Sequence, residues 1–331
     1  MQLEQEKAFL EQHNKKQYNK TDPDASLMQK PAHNLMAYNS QIVVDDKYKL
    51  IVATDITSCG TDINQLHKMA KQTKAILATD SLTIVADTGY DNHQQIKQCY
   101  DDGITPIIPG RNLVKVQQNK GKFSRDKFVY NADIDNYICP NNKILAKQNQ
   151  PQTKPNGKIN FGYATRRKDC KQCPLKSQCL PDKTLMKRIY RWEHQVMLDK
   201  HYDKMQTKEA KTTIKRRGSI VEHPFGTIKR GLGWDRYLVR GKEKVSGENA
   251  LIMFSYNFKR VINILGVTGF IAMTLALETG NIDTFLVNFW QNFIFSGLFI
   301  VVLLNIANSL NIKQNRRYLF GKYLKIVIFC D

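Results

Sequence analysis

Apolar and polar positions change rhythm along this chain, and the changes mark elements. Residues 40–44 (SQIVV) and 49–56 (KLIVATDI) are short β-type apolar runs joined by DDKY, a connection of hairpin length. Across 61–77 (TDINQLHKMAKQTKAIL) apolar residues fall at helical spacing, with Thr61 or Asp62 placed to cap. Residues 82–87 (LTIVAD) are a short apolar run of the kind buried in a sheet. Residues 91–103 (DNHQQIKQCYDDG) read as a helix stopped by Gly103, and 104–109 (ITPIIP) as a further strand. The order strand, strand, helix, strand, helix, strand predicts an α/β domain with helices layered on a sheet.

The flanking regions read differently. Residues 1–20 have the pattern of a charged, exposed helix, which Pro23 and the turn residues of TDPDASLM end. Residues 110–200 are rich in Lys, Asn and Gln, lack long apolar runs and hold four of the seven cysteines. They read as an insertion between two halves of one domain. Helical pattern returns over 207–231, with irregularity at Gly218 and Pro224, and again over 247–265 as an amphipathic helix. The expected organisation is a helix and linker over 1–30, a first core part over 31–110, the Cys-containing insertion over 111–205, a second core part over 206–266 and an apolar tail over 267–331.

Charge narrows the partners. The 331 residues carry 50 Lys+Arg against 30 Asp+Glu, a net charge of +20. Such an excess points to a polyanion, because each phosphate neutralised releases a counterion; a membrane-surface protein is the other class it admits. Seven cysteines are too few and too uneven for a secreted disulfide scaffold. The charged opening residues are unlike a signal peptide, so the expected compartment is cytoplasmic.

Two carboxylates stand out. Asp87 ends an apolar strand and is followed by the turn TGY, and ligands of open α/β sheets gather at the carboxyl ends of strands. Capping the helix that begins at Asp91 is its alternative role. Glu222 lies in KRRGSIVEHPFGTIKRG, one acid among Arg216, Arg217, Lys229 and Arg230. A metal site on a phosphate backbone needs such a setting, and so does a solvated helix charge paired with basic neighbours.

VADTGYDN (85–92), followed by ITPIIPGR, resembles the second-aspartate motif of bacterial insertion-sequence transposases of the DDE superfamily. RRGSIVEHPFGTIKRGLGWDRYLVRGKEKVSGENALIMFSYNFKRVINILG (216–266) resembles their glutamate region, and DPDASLM…AYNSQIVVDDKYKLIVA (22–53) the segment after their first-aspartate strand. The resemblance implies an RNase H-like mixed sheet flanked by helices, with a helical C-terminal part. It implies metal-dependent DNA cleavage and strand transfer with magnesium or manganese held by Asp87 and Glu222, and multimers acting on two element ends. It also implies that Lys229, with six residues between it and Glu222, contacts DNA phosphate. Arg216 and Arg217 suit phosphate as forked donors, and Arg230 adds to the same basic run.

Departures from the pattern matter. The family's Tyr before the Glu is not at its spacing, and Arg217 is displaced by one position. No Asp-Gly-Thr strand precedes Thr21. Asp45, Asp46 and Asp55 match later strands, so they are expected at turns and edges. The chain is therefore expected to lack the first catalytic aspartate and its central strand. A copy that binds DNA without cutting it is the alternative function.

Cys139, then Cys170 and Cys173 as a CxxC, then Cys179 supply four thiolates, enough for a tetrahedral structural zinc site. A metal would give this apolar-poor region the folding energy that a core cannot. An iron–sulfur cluster uses the same ligands, and free thiols are the remaining reading. Cys59, Cys99 and Cys330 read as isolated thiols. In the tail, 285–307 (FLVNFWQNFIFSGLFIVVLLNIA) is uncharged, long enough to cross a bilayer and followed by a basic flank. A membrane span and sequence foreign to the element both remain open for it.

Overall fold

Every residue of strand β3 (Asn39–Asp45) is buried, and that determines the architecture. Successive side chains of a strand point to opposite faces, so a wholly buried strand needs a layer on each side. The computed structural model describes residues 2–12, 19–29, 34–111, 121–279 and 325–330. It divides the chain into two compact units, one made of Met1–Pro109 with Met205–Asp331 and the other of Gly110–Lys204.

The first unit opens with α1 (Gln2–Gln12) and a small antiparallel pair, β1 (Ser26–Gln29) with β2 (Asn34–Ala37). After β3 come β4 (Ile51–Thr57), α2 (Leu66–Leu77), β5 (Leu82–Val85), α3 (His93–Asp101) and β6 (Ile104–Ile107), in the order the apolar rhythm predicts. Local chemistry fixes the joints. Asn92, and not Asp87, caps α3, its side chain accepting from the N–H groups of Gln94 and Gln95. Gly103 follows α3 at φ 67°, a conformation that suits glycine. Neither Thr61 nor Asp62 caps α2, which begins after Gln65 without a side-chain cap.

The second unit holds β7 (Val129–Asn131), β8 (Asn136–Ile138), β9 (Ile144–Lys147), β10 (Gln152–Thr153), β11 (Ile159–Ala164) and β12 (Arg188–Trp192). They form an antiparallel sheet in the order β10-β11-β9-β8-β7, with β12 also on β11. Two short helices, α4 (Arg167–Lys171) and α5 (Lys176–Cys179), lie in the β11–β12 connection. Its core is small and aromatic: Phe128, Tyr137, Leu145, Tyr163 and Ile189. Asp135 ties it together, accepting from Tyr130 Oη at 2.7 Å, Tyr163 Oη at 2.6 Å and Lys147 Nζ at 2.6 Å. Those donors, Lys147 first, hold its carboxyl down to about 2.

After α6 (Gln195–Gln206) the chain returns to the first unit with α7 (Lys208–Gly226), one π-helical turn (Thr227–Gly231) and α8 (Lys242–Glu278). Thr207 caps α7 by accepting from Ala210 N at 3.2 Å. The expected irregularity at Gly218 is absent, and Pro224 sits within the helix. Helices α7 and α8 cover one sheet face: Ile220, Val221, Ile252, Met253 and Tyr256 pack with Ile42, Val44, Ile51, Val85 and Ile107. Each such apolar side chain contributes ~1.5–3 kcal/mol on full burial. Helices α2 and α3 pack on the strands as well, burying Leu66, Met69, Leu77 and Ile96.

The sheet order is β4-β3-β13-β5-β6, where β13 is Lys325–Cys330 from the far end of the chain. It runs antiparallel to β3, with Ile328 opposite Val43, and parallel to β5, with Val327 opposite Val85. The sheet thus has a central strand, where the sequence led us to expect a gap. The tail expected over 267–331 accordingly contains the end of α8 and this strand. Helix α8 is long and apolar enough, by length and composition, to cross a membrane. It also seats Val245, Ile252 and Tyr256 in the core. The uncharged segment 285–307 lies outside the described residues.

Candidate active site

Asp87 leaves the carboxyl end of β5 in extended conformation and opens a tight turn, Thr88–Tyr90. Its Oδ1 accepts from Gly89 N at 2.7 Å, so it caps its own turn. A Cβ on Gly89 would stand 2.8 Å from that oxygen and 3.6 Å from Asp62 Oδ2, and this crowding accounts for the glycine. Tyr90 anchors the turn: it is fully buried and donates to Gln41 Oε1 at 2.5 Å. Gln41 and Asn39 in turn donate to Asp62 Oδ1 at 2.9 and 2.8 Å. Opposite the turn, Arg217 Nη1 lies 3.6 Å from Asp87 Oδ2. The Asp87 side chain is 37% exposed, so this pair contributes only ~0–1 kcal/mol and leaves the carboxylate exchangeable.

Glu222 is exposed on α7. It faces a cavity of about 450 Å³ whose wall includes His223, Thr227, Tyr256, Lys259 and Arg260. Tyr256 donates to Lys49 O at 2.6 Å and stands 3.0 Å from His223 Nδ1. Burial, with Arg260 and Lys49 nearby, holds the His223 imidazole below the usual histidine range.

The expected basic residues divide by location. Arg216 pairs with Asp46 at 2.7 Å, and Arg217 faces Asp87. Lys229 and Arg230 are exposed on the π-helical turn. Lys229 lines a second cleft of about 470 Å³ with Trp234, Arg236 and Arg240. Sequence reading missed Lys259 and Arg260. Their signal was present in YNFKRVIN, where Tyr256, Lys259, Arg260 and Asn263 recur at helical spacing, but the pattern was read only for its apolar face. Asp45, Asp46 and Asp55 are turn and edge residues. Asp45 accepts from the Lys47 N–H at 3.0 Å and from that of Tyr48, and Asp55 pairs with Lys68.

In the second unit Cys139, Cys170, Cys173 and Cys179 line one small pocket. N–H donors already point at two of the sulfurs: Lys143 N lies 3.3 Å from Cys139 Sγ and Asn141 Nδ2 3.4 Å from Cys173 Sγ, while Thr165 Oγ1 and Cys170 Sγ share a hydrogen bond at 3.0 Å. Burial first, and then the other three cysteines, push the Cys179 thiol up, while Lys187 pulls it down. Cys99 is buried in the first unit, where burial pushes its thiol up to about 12.

Among the described residues, no three His, Cys, Asp or Glu side chains stand together at metal-holding spacing. For the acids the donor type suits magnesium, hard oxygens for a hard cation. Asp87 faces Arg217, and Glu222 lines a cavity with Lys259 and Arg260. The cysteines suit zinc in type and converge on one pocket, without closing on a point.

No curated protein and no solved structure matched the chain. Residues 138–262 match a family model described as a transposase DDE domain. That segment contains Glu222, Lys259, Arg260 and all four clustered cysteines, whereas Asp87 lies before it. Over residues 138–262 the chain is thus similar to a transposase DDE domain.

Proposed function

We propose that this protein is a DNA transposase that cleaves and joins the ends of an insertion sequence on an RNase H-like core. The observation carrying the reading is Glu222: within the matched segment, it stands exposed on α7 over a cavity walled by Lys259 and Arg260. DDE transposases generally use divalent metals such as magnesium or manganese. Such a metal supplies charge neutralisation at the scissile phosphate and an activated oxygen nucleophile. Asp87 and Glu222 are the acids assigned to hold it. Lys229, Arg230, Arg216 and Arg217 supply charge to the backbone of the bound ends, on which several copies assemble. The test is a labelled duplex carrying an element end, incubated with the full chain in magnesium, in manganese and in EDTA. Metal-dependent cutting is the expected outcome.

The central strand β13 (KIVIFC) contains no carboxylate, which favours a second reading, a DNA-binding copy without cutting activity. Retained binding with an uncut duplex in both metals would select it.

We assign Cys139, Cys170, Cys173 and Cys179 to a structural zinc. The shared pocket and the N–H donors aimed at Cys139 and Cys173 support this, since such donors favour thiolate. Protein purified without chelator is expected to hold one zinc per chain by elemental analysis. Cys173→Ser is expected to lower that content and the melting temperature of the Gly110–Lys204 unit. Metal-free protein of unchanged stability would refute the site.

A further inference from the structure

We infer that the cavity beside Glu222 is a phosphate subsite, in which Lys259 and Arg260 of α8 grip a phosphodiester of bound DNA. The inference rests on the transposase reading and adds to it a second helix of DNA contacts. Glu222, His223, Thr227, Lys259, Arg260 and Asn263 line the cavity, which measures about 450 Å³. Its chemistry is that of an anion site. Two cations, Lys259 and Arg260, line it together with Thr227 and with Asn263 one turn further along α8. Gly226 opens the floor: a Cβ placed there would meet nothing within 4 Å.

The cations differ in how they are held. Arg260 is half-buried and donates its Nε to Tyr48 O at 2.7 Å, which fixes the guanidinium and leaves its other donors for a ligand. Lys259 is exposed, with no ion-pair partner among the described residues. Lys49 adds a third charge near enough to act on His223. The acids nearby are few. Asp46 is engaged with Arg216 and Lys49, and Glu222 is the acid on the cavity wall. His223 also lines the cavity, with its Nδ1 3.0 Å from the Tyr256 hydroxyl. A phosphate in this cavity would lie beside the carboxylate assigned to the chemistry. Phosphate contacts set register on a duplex, so the subsite would fix which bond Glu222 addresses.

The test uses the full chain and a fluorescein-labelled 30-bp duplex, with binding measured between about 50 and 300 mM KCl. Each lost phosphate contact lowers the slope of log K against log salt by ~0.9. Lys259→Gln is expected to lower it by about that much, and Lys259→Gln/Arg260→Gln by about twice as much. Asn263→Lys, which adds a cation to the same wall, is expected to steepen it. Lys71→Gln on α2 is the control and should leave the slope unchanged. Melting curves separate folding from binding: Lys259 is exposed, so its variant should melt as the parent does. Arg260→Lys reports whether charge alone suffices at that position. Binding by the parent with unaltered slopes in Lys259→Gln and Asn263→Lys would overturn the subsite and leave the transposase reading standing. A parent that does not bind the duplex at all would overturn both.

Discussion

Single residues in both units are held by partners far away in sequence, and that limits what sequence can show. Asp87 was legible because strand end, acid and turn glycine are contiguous in VADTGY. Its support was not: Tyr90 reaches Gln41, and Gln41 and Asn39 reach Asp62, across 21 to 49 positions. Gly89→Ala is expected to displace the Asp87 carboxylate, since the new Cβ would meet Oδ1 at 2.8 Å. Loss of ~1–3 kcal/mol of stability in denaturant titration, with loss of cutting, would agree; a fully active, equally stable variant would not. Asp135 was also invisible, because its tyrosine and lysine donors come from three strands and their flanks. Its folded-state value, about 2 against an ordinary 3.8, is depressed. Its contribution is therefore complete above about pH 4 and is lost as pH falls toward 2. Asp135→Asn should lower the melting temperature at pH 7 and flatten its acid dependence across that window.

Elements were legible where rhythm and joint chemistry agree. Strands β3 to β6 with α2 and α3 follow the predicted order because apolar runs alternate with helical spacing and turns punctuate them. Helix α7 was also visible, and its cap can be tested: Thr207→Ala removes the acceptor of Ala210 N and should cost ~1 kcal/mol in urea denaturation. An unchanged midpoint would mean that the cap contributes nothing. Helix α8 ran past its expected end at 265. Gly266 breaks it at φ 72° and ψ 166°, yet the helix resumes to Glu278. A single non-helical glycine inside a continuous apolar pattern has no separate signature in sequence. Lys259 and Arg260 were overlooked for a related reason: the same helix turns its apolar side to the sheet and its basic side to the Glu222 cavity.

At the scale of the molecule, the strand order could not be read at all. β13 pairs with β3 and β5, so residues from opposite ends of the chain share one ladder. The tail's composition reads as membrane-like or foreign, and pairing at long sequence separation leaves no periodic mark in it. Deleting 325–331 should expose two unpaired edges, on β3 and β5, and edges of that kind promote aggregation. The shortened chain is expected to elute as aggregate in size-exclusion chromatography; a monodisperse, cooperatively melting product would remove β13 from the fold.

The central claim is that Glu222 carries transposition chemistry, and one comparison addresses it directly. Parent and Glu222→Gln proteins are each given the same element-end duplex in magnesium, with binding and cutting measured on one gel. We predict equal or tighter binding by Glu222→Gln, which removes a negative charge from a phosphate-facing cavity. Its cutting should fall at least ~100-fold, about 2.7 kcal/mol of barrier. A variant that cuts as fast as the parent would contradict the account.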